Sequence, residues 1–171
     1  MRQARHQRLG AYGMTAVLSI TGAGALLRQC NPAPAPPPAT VSAPLPIGDM
    51  LGSVNAYRAQ NGLSPLTENW NLDMAAIDHS TDMAQRRTMT HTGYNGSNAG
   101  QRIAANGYSA RTWGENVAAG QPDVGSVMSA WMNSAGHQAN ILNPAFSDIG
   151  FAAVTASNGT IYWTMVLASQ R

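Results

Sequence analysis

The run WGENVAAG, Trp113 to Gly120, carries a single carboxylate, Glu115, among residues that are otherwise uncharged and mostly small or apolar. Desolvating an unpaired carboxylate beside apolar neighbours is costly, so a partner is expected. Beyond the N-terminal leader the chain has three histidines, His79, His91 and His137. Two imidazoles and one carboxylate suit a borderline cation such as zinc, with a water in the fourth position. The same residue types could activate a water directly, a histidine acting as base and the carboxylate orienting it. A structural reading stands beside both: Glu115 accepts hydrogen bonds from loop amides and ties a central strand to the Gly-rich loop. The gaps from His91 to Glu115 and on to His137 are too long for a local ligand motif, so spacing alone does not bring the three together.

The elements that position these residues follow from periodicity. Met50, Val54 and Tyr57 recur at helical spacing, with Asp49 as N-cap and Asn61-Gly62 as the stop. A second helix is expected from about Asn71 to Arg87, where Leu72, Ala76, His79 and Met83 fall on one stripe. His79 therefore reads as a packed core histidine. The run TMTHTGYNGSNAG, Thr88 to Gly100, reads as an irregular loop holding His91, and a short helix from Gln101 to Asn106 follows it. Val124, Val127, Met128 and Trp131 mark a further helix, opened near Pro122-Asp123 and closed by Gly136, which puts His137 just beyond its end. His91 and His137 thus sit at element ends, where sites form. IGFAAVTA and TIYWTMVLA, separated by Ser157-Asn158-Gly159, read as a β-hairpin. Helices first and strands last point to an α+β fold.

Length and composition bound the rest. The chain has 171 residues, enough for one domain. Four of its ten Arg precede Cys30 and all eight acids follow it, so the body beyond Cys30 holds six cations against eight anions. That mildly acidic body has no electrostatic footprint for a phosphate backbone, and nucleic acid is excluded as a leading partner. The leader, a basic MRQARHQR followed by an uncharged run from Leu9 to Leu27, has the layout of a secretory signal or of a membrane anchor. Cys30 directly follows it, at the place where a lipoprotein signal is cleaved and acylated, although Gln29 stands where such signals have a small residue. One cysteine allows no internal disulfide, so burial must hold the fold, with Trp70, Trp113, Trp131 and Trp163 expected to supply much of it. Residues Asn31 to Pro46 contain seven of the ten prolines and no charge, which marks a polyproline linker reaching on the order of 50 Å. The organisation read from these features is a leader at 1–30, a linker at 31–46 and one domain at 47–171.

Taken together, VNAYRAQNGL, HSTDMAQRRTMTHTG, WGENVAAG and AWMNSAGHQANILNPAFSDIGFAAV resemble the CAP superfamily, the group containing cysteine-rich secretory proteins, venom antigens and plant pathogenesis-related proteins. The closest likeness is to its disulfide-free bacterial branch. The resemblance implies an α-β-α sandwich with a small antiparallel sheet between helical layers, and a cleft lined by two histidines and two acids. It places the first histidine on His91, the acid of the GEN motif on Glu115 and the second histidine on His137. The remaining acid would fall near Trp131-Met132-Asn133-Ser134, where this chain has none, so any metal is expected to bind more weakly than in a full set, with Asn133 retaining only a hydrogen bond.

What the resemblance implies for function is a secreted or envelope-displayed module that binds a small hydrophobic ligand of lipid or sterol type, or a divalent cation such as zinc, at a cleft holding His91, Glu115 and His137. The alternative is a metal-assisted hydrolase using the same three residues. A third reading leaves the cleft vestigial. Membrane contact is expected only through the N-terminal segment or a lipidated Cys30, and the domain is expected to be a monomer.

Overall fold

The computed structural model describes residues 40–45 and 48–171. The leader, Cys30 and most of the Pro-rich run lie outside the described residues, as does the expected domain start at Ile47.

Helix α1, Met50–Gln60, begins where Asp49 accepts the Gly52 N–H at 3.1 Å and stops at Asn61-Gly62, Gly62 adopting a positive φ of 69°. A two-residue strand β1, Thr67–Glu68, leads to helix α2, Trp70–Arg86, capped by Asn69. Its stripe of Leu72, Ala76, His79 and Met83 is buried as the periodicity requires, and Arg87, left-handed at φ 53°, ends it. Helix α3, Ala99–Ala105, starts two residues earlier than expected because Asn98 and Gln101 form a reciprocal capping box. Strand β2, Ala110–Ala119, contains the Glu115 run, helix α4 spans Val124–Met132, and helix α5 spans Ala135–Ile141. Strands β3, Asp148–Thr155, and β4, Ile161–Gln170, form the expected hairpin, with Gly159 at φ 85° in its turn.

The sheet order is β1-β3-β4-β2. The three long strands pair antiparallel, and the short β1 adds to β3 in parallel, which makes the sheet mixed where a purely antiparallel one was expected. Alternation along β4 divides the core into two. Trp163, Met165 and Leu167 pack with α1, α4 and α5, whereas Val166 and Ala168 pack with α2 and α3. Both faces of the sheet are covered, which is the α-β-α sandwich, and explains why β4 reads as a nearly unbroken apolar run. Helix α2 lies very close to the sheet: a Cβ on Gly150 would stand 2.2 Å from the carbonyl carbon of Leu72. Residues 42 and 45 hydrogen-bond to Thr155 and Ala153 along the outer side of β3, so the end of the Pro-rich run covers an open sheet edge.

Two expectations need correction. Gly136 does not end a helix: α4 stops at Met132, and Gly136 and His137 lie inside the separate α5. Only Trp131 and Trp163 of the four tryptophans are in the core, Trp70 being 71% and Trp113 44% exposed.

The most buried cation of the fold is Arg58, which has no acidic partner among the described residues and is 1% exposed. Its guanidinium donates instead to the carbonyls of Ser64 (2.8 Å), Ile141 and Asn143 (both 2.9 Å) and Phe146 (3.4 Å), clamping α1 to the end of α5. Burial pushes its pKa down. Replacing it by Met of similar length strands those carbonyls, and Arg58→Met should lower the unfolding free energy by about 3–5 kcal/mol in urea titrations. A loss below about 1 kcal/mol would show that water replaces the guanidinium there.

Candidate functional site

The GEN tripeptide is explained by the alternation of β2. Glu115 pairs in register with Val166, which belongs to the α2–α3 core, and so points to that layer. Asn116 pairs with Met165 and points to the layer of α4 and α5. There its amide donates to the His137 carbonyl at 3.1 Å, while its Oδ1 accepts from Asn140 at 2.8 Å. Asn140 also donates to the Glu115 carbonyl at 3.2 Å. Gly114 leaves room for this docking, since a Cβ there would lie 3.0 Å from Asn140 Oδ1. One glycine and two asparagines thus lock α5 to β2, with Glu115 between them facing the other way.

Glu115 is 7% exposed and both of its oxygens are engaged. Oε2 accepts from Arg102 Nη2 at 2.6 Å and Oε1 from His91 Nδ1 at 2.8 Å. A carboxylate paired with a guanidinium only accepts hydrogen bonds, so the neutral His91 ring carries its proton on Nδ1 and leaves Nε2 bare. The His91 side chain is 60% exposed and carries that nitrogen toward solvent. Arg102 also donates to the carbonyls of Ser97 (2.8 Å) and His91 (3.3 Å), which fixes both arms of the 88–98 loop around Glu115. These partners are side chains, not the loop amides of the structural reading, and β2 is an edge strand rather than a central one.

His79, expected as a core residue, is buried at 1% exposure and donates from Nε2 to the Thr90 carbonyl at 2.7 Å. It also borders the site, its Nε2 lying 3.9 Å from Glu115 Oε1. Burial lowers its pKa; the Glu115 charge works against that and the Arg102 charge adds to it. His137 forms no hydrogen bond through its ring among the described residues, and its Nδ1 is buried without a partner. Burial and, second, the charge of nearby His91 lower its pKa too. Both groups are therefore held neutral: the stability they contribute is present above the ordinary histidine pKa and is lost as pH falls below it.

The structure brings His91 and Glu115 into contact and leaves His137 attached to the same strand through its backbone. A cation shared by the three was one of the expected readings. No three His, Cys, Asp or Glu side chains among the described residues are placed to hold a metal ion, and the oxygens of Glu115 face Arg102 and His91. Asn133, at the place of the missing acid, reaches only Ser129 Oγ at 3.5 Å. The decisive residue absent from the sequence reading is Arg102. Its signal was the scarcity of cations: a lone arginine beside Ile103 on a short helix is a ready partner for a lone acid in an apolar strand.

Arg102→Met leaves Glu115 buried with only the His91 hydrogen bond and should cost about 3–5 kcal/mol of stability. In the Arg102→Met/Glu115→Gln double variant part of that loss should return, giving a coupling of about 1–3 kcal/mol in a double-mutant cycle by urea denaturation. Additive losses would show that the pair is not a unit.

The sequence matches the model of the cysteine-rich secretory protein family, CAP, over residues 51–167. It is 39% identical over 110 residues to the uncharacterized protein YkwD of Bacillus subtilis, covering 64% of this chain and 42% of that one. It is 26% identical over 101 residues to the uncharacterized membrane protein YlbC of the same organism, covering 59% and 29%. The matched region therefore spans less than half of these relatives. Among solved structures, an outer surface protein from Borrelia burgdorferi superposes with a TM-score of 0.68 at 20% identity over 75% of this chain and 98% of that one. An extracellular protein containing an SCP domain from Bacillus anthracis superposes with a TM-score of 0.64 at 25% identity, over 71% and 39%. With the fold, the order of the motifs and the family match in agreement, this chain belongs to the CAP, or cysteine-rich secretory protein, family.

Proposed function

We propose that the chain is an extracytoplasmic binding module for a small hydrophobic ligand, displayed at the cell envelope or secreted, and that it works without a resident cation. The observation that carries this reading is the state of Glu115: with one oxygen on Arg102 and the other on His91, it is neither a free base nor a free ligand. A cation would meet one exposed imidazole nitrogen, Nε2 of His91. The hydrophobic ligand has a suitable place elsewhere. A groove of about 300 Å³ is lined by Leu45, Leu51, Ile77 and Phe151, with Glu68 also in its wall, between the 40–45 segment, α1, α2 and β3. The extracytoplasmic location is supported by the outer-surface and extracellular proteins among the structural relatives, and by the signal-like leader.

The hydrolase reading has one observation in its favour. A carboxylate that fixes a histidine tautomer, as Glu115 fixes His91, also prepares that histidine as a base toward water. Turnover of an ester, peptide or wall bond that survives Glu115→Gln would remove that role.

Native mass spectrometry of the full chain tests the binding reading. We expect a co-purifying hydrophobic molecule, extractable into organic solvent and absent from Ile77→Glu, and no one-to-one adduct when Zn²⁺ is added at about pH 7.5, where an ordinary histidine is neutral. An empty protein after lipid exposure would overturn the hydrophobic ligand. A stoichiometric zinc adduct lost in both His91→Ala and Glu115→Gln would restore the shared metal site.

A further inference from the structure

Between α2 and α3, bordered by the 93–97 loop, lies a second cleft of about 560 Å³, and neither His91 nor His137 lines it. Its walls include the polar side chains of Asp78 and Asp82 from α2, Asn95 from the loop, and Gln101 and Asn106 from α3. Tyr94 lines it too, with 85% of its surface exposed and no hydrogen bond from its hydroxyl among the described residues.

The charges narrow the ligand. Asp82 is paired with Arg86, and Arg102 with Glu115, while Asp78 has no cationic partner among the described residues and accepts only the Asn106 amide at 2.9 Å. The cleft is therefore slightly acidic, which disfavours phosphates and sulfates. Donors and acceptors side by side around one aromatic face fit an uncharged polyhydroxyl compound, whose ring can stack on tyrosine while its hydroxyls both donate and accept.

Two atoms beneath the cleft are buried. His79, 1% exposed, and Arg102, 8% exposed, both line the cleft, and His79 Nδ1 and Arg102 Nε are buried without partners. Since His79 donates from Nε2 to Thr90, its neutral ring makes Nδ1 an acceptor, whereas Arg102 Nε is a donor. Neither atom has surface open to the cleft, so a buried water beneath it, and not a ligand within it, is what each would meet.

The rim is already built. The Tyr94 N–H donates to Asp82 Oδ2 at 3.1 Å, the Gly93 N–H to Ser97 at 2.8 Å, and Arg102 holds the Ser97 carbonyl. Gly96, at φ 80°, makes the turn between them. The backbone under Tyr94 is fixed while its ring stays free to meet a ligand, so little ordering is needed on binding.

We propose that this cleft is a saccharide site, taking a short neutral glycan with one ring stacked on Tyr94 and hydroxyls on Asp78, Gln101 and Asn106. It is separate from the apolar groove and does not depend on it.

The test is an amide NMR titration of the full chain with two neutral disaccharides, cellobiose and N,N′-diacetylchitobiose. At least one should shift the amides of residues 93–97 and of α3 at millimolar concentration. Tyr94→Ala should weaken that binding about tenfold or more. Its thermal unfolding should stay unchanged, because the hydrogen bond at that position is a backbone one. Asp78→Asn, which retains the shape, should also weaken it. Absence of shifts with both sugars, shifts centred on His91 and Glu115, or affinity unchanged in Tyr94→Ala would each overturn the assignment, and none of these outcomes bears on the lipid measurement.

Discussion

A buried carboxylate that must be neutralised organises the site end of this fold. Glu115 lies in the buried half of β2, between Gly114 and Asn116, and its desolvation is compensated by Arg102 at 2.6 Å. That requirement sets more than one contact. Arg102 can reach Glu115 only if α3 packs against β2, and the Asn98–Gln101 capping box fixes where α3 begins. The remaining donors of the same guanidinium hold the Ser97 and His91 carbonyls, so the loop that carries His91 is shaped by the cation that satisfies the acid. The exposed imidazole, the loop and the polar cleft beside it all hang on one ion pair.

Much of the framework was legible because it follows from period and punctuation. The α1 and α2 stripes, the Asp49 cap, the Asp123 cap of α4 and the Asn158-Gly159 turn all appear where local chemistry places them. Three elements escaped, the two-residue β1 because it is too short to show a period and two others for reasons of packing. Strand β2 is flanked by helices on both faces, so its buried half shows no alternation to read. Helix α5 is short and contains Gly136, and its position depends on Asn116 and Asn140, a contact across more than twenty residues. The tryptophans misled in the opposite direction: Trp113 lies over Gly100, where a Cβ would meet its indole nitrogen at 2.6 Å, and half of its ring remains open.

The site shows the same division. The family likeness set His91 beside Glu115, and the two are in contact at 2.8 Å. It could not reveal that the partner of the acid is an arginine, since the compensating charge lies on a helix whose sequence carries no catalytic motif. With that arginine in place, the missing second acid becomes intelligible: Glu115 is already neutralised, and a second carboxylate nearby would have no cation to face. His79 and His137, both held neutral by burial, border the pair without adding charge to it.

The central claim is that Glu115 orients His91 and is itself satisfied by Arg102. The most direct measurement is long-range ¹H–¹⁵N NMR of the His91 ring at about pH 8, where an ordinary imidazole is neutral. The account predicts a proton on Nδ1 and a bare Nε2, with that preference lost in Glu115→Gln. A neutral His91 protonated on Nε2 in the unaltered chain would contradict it.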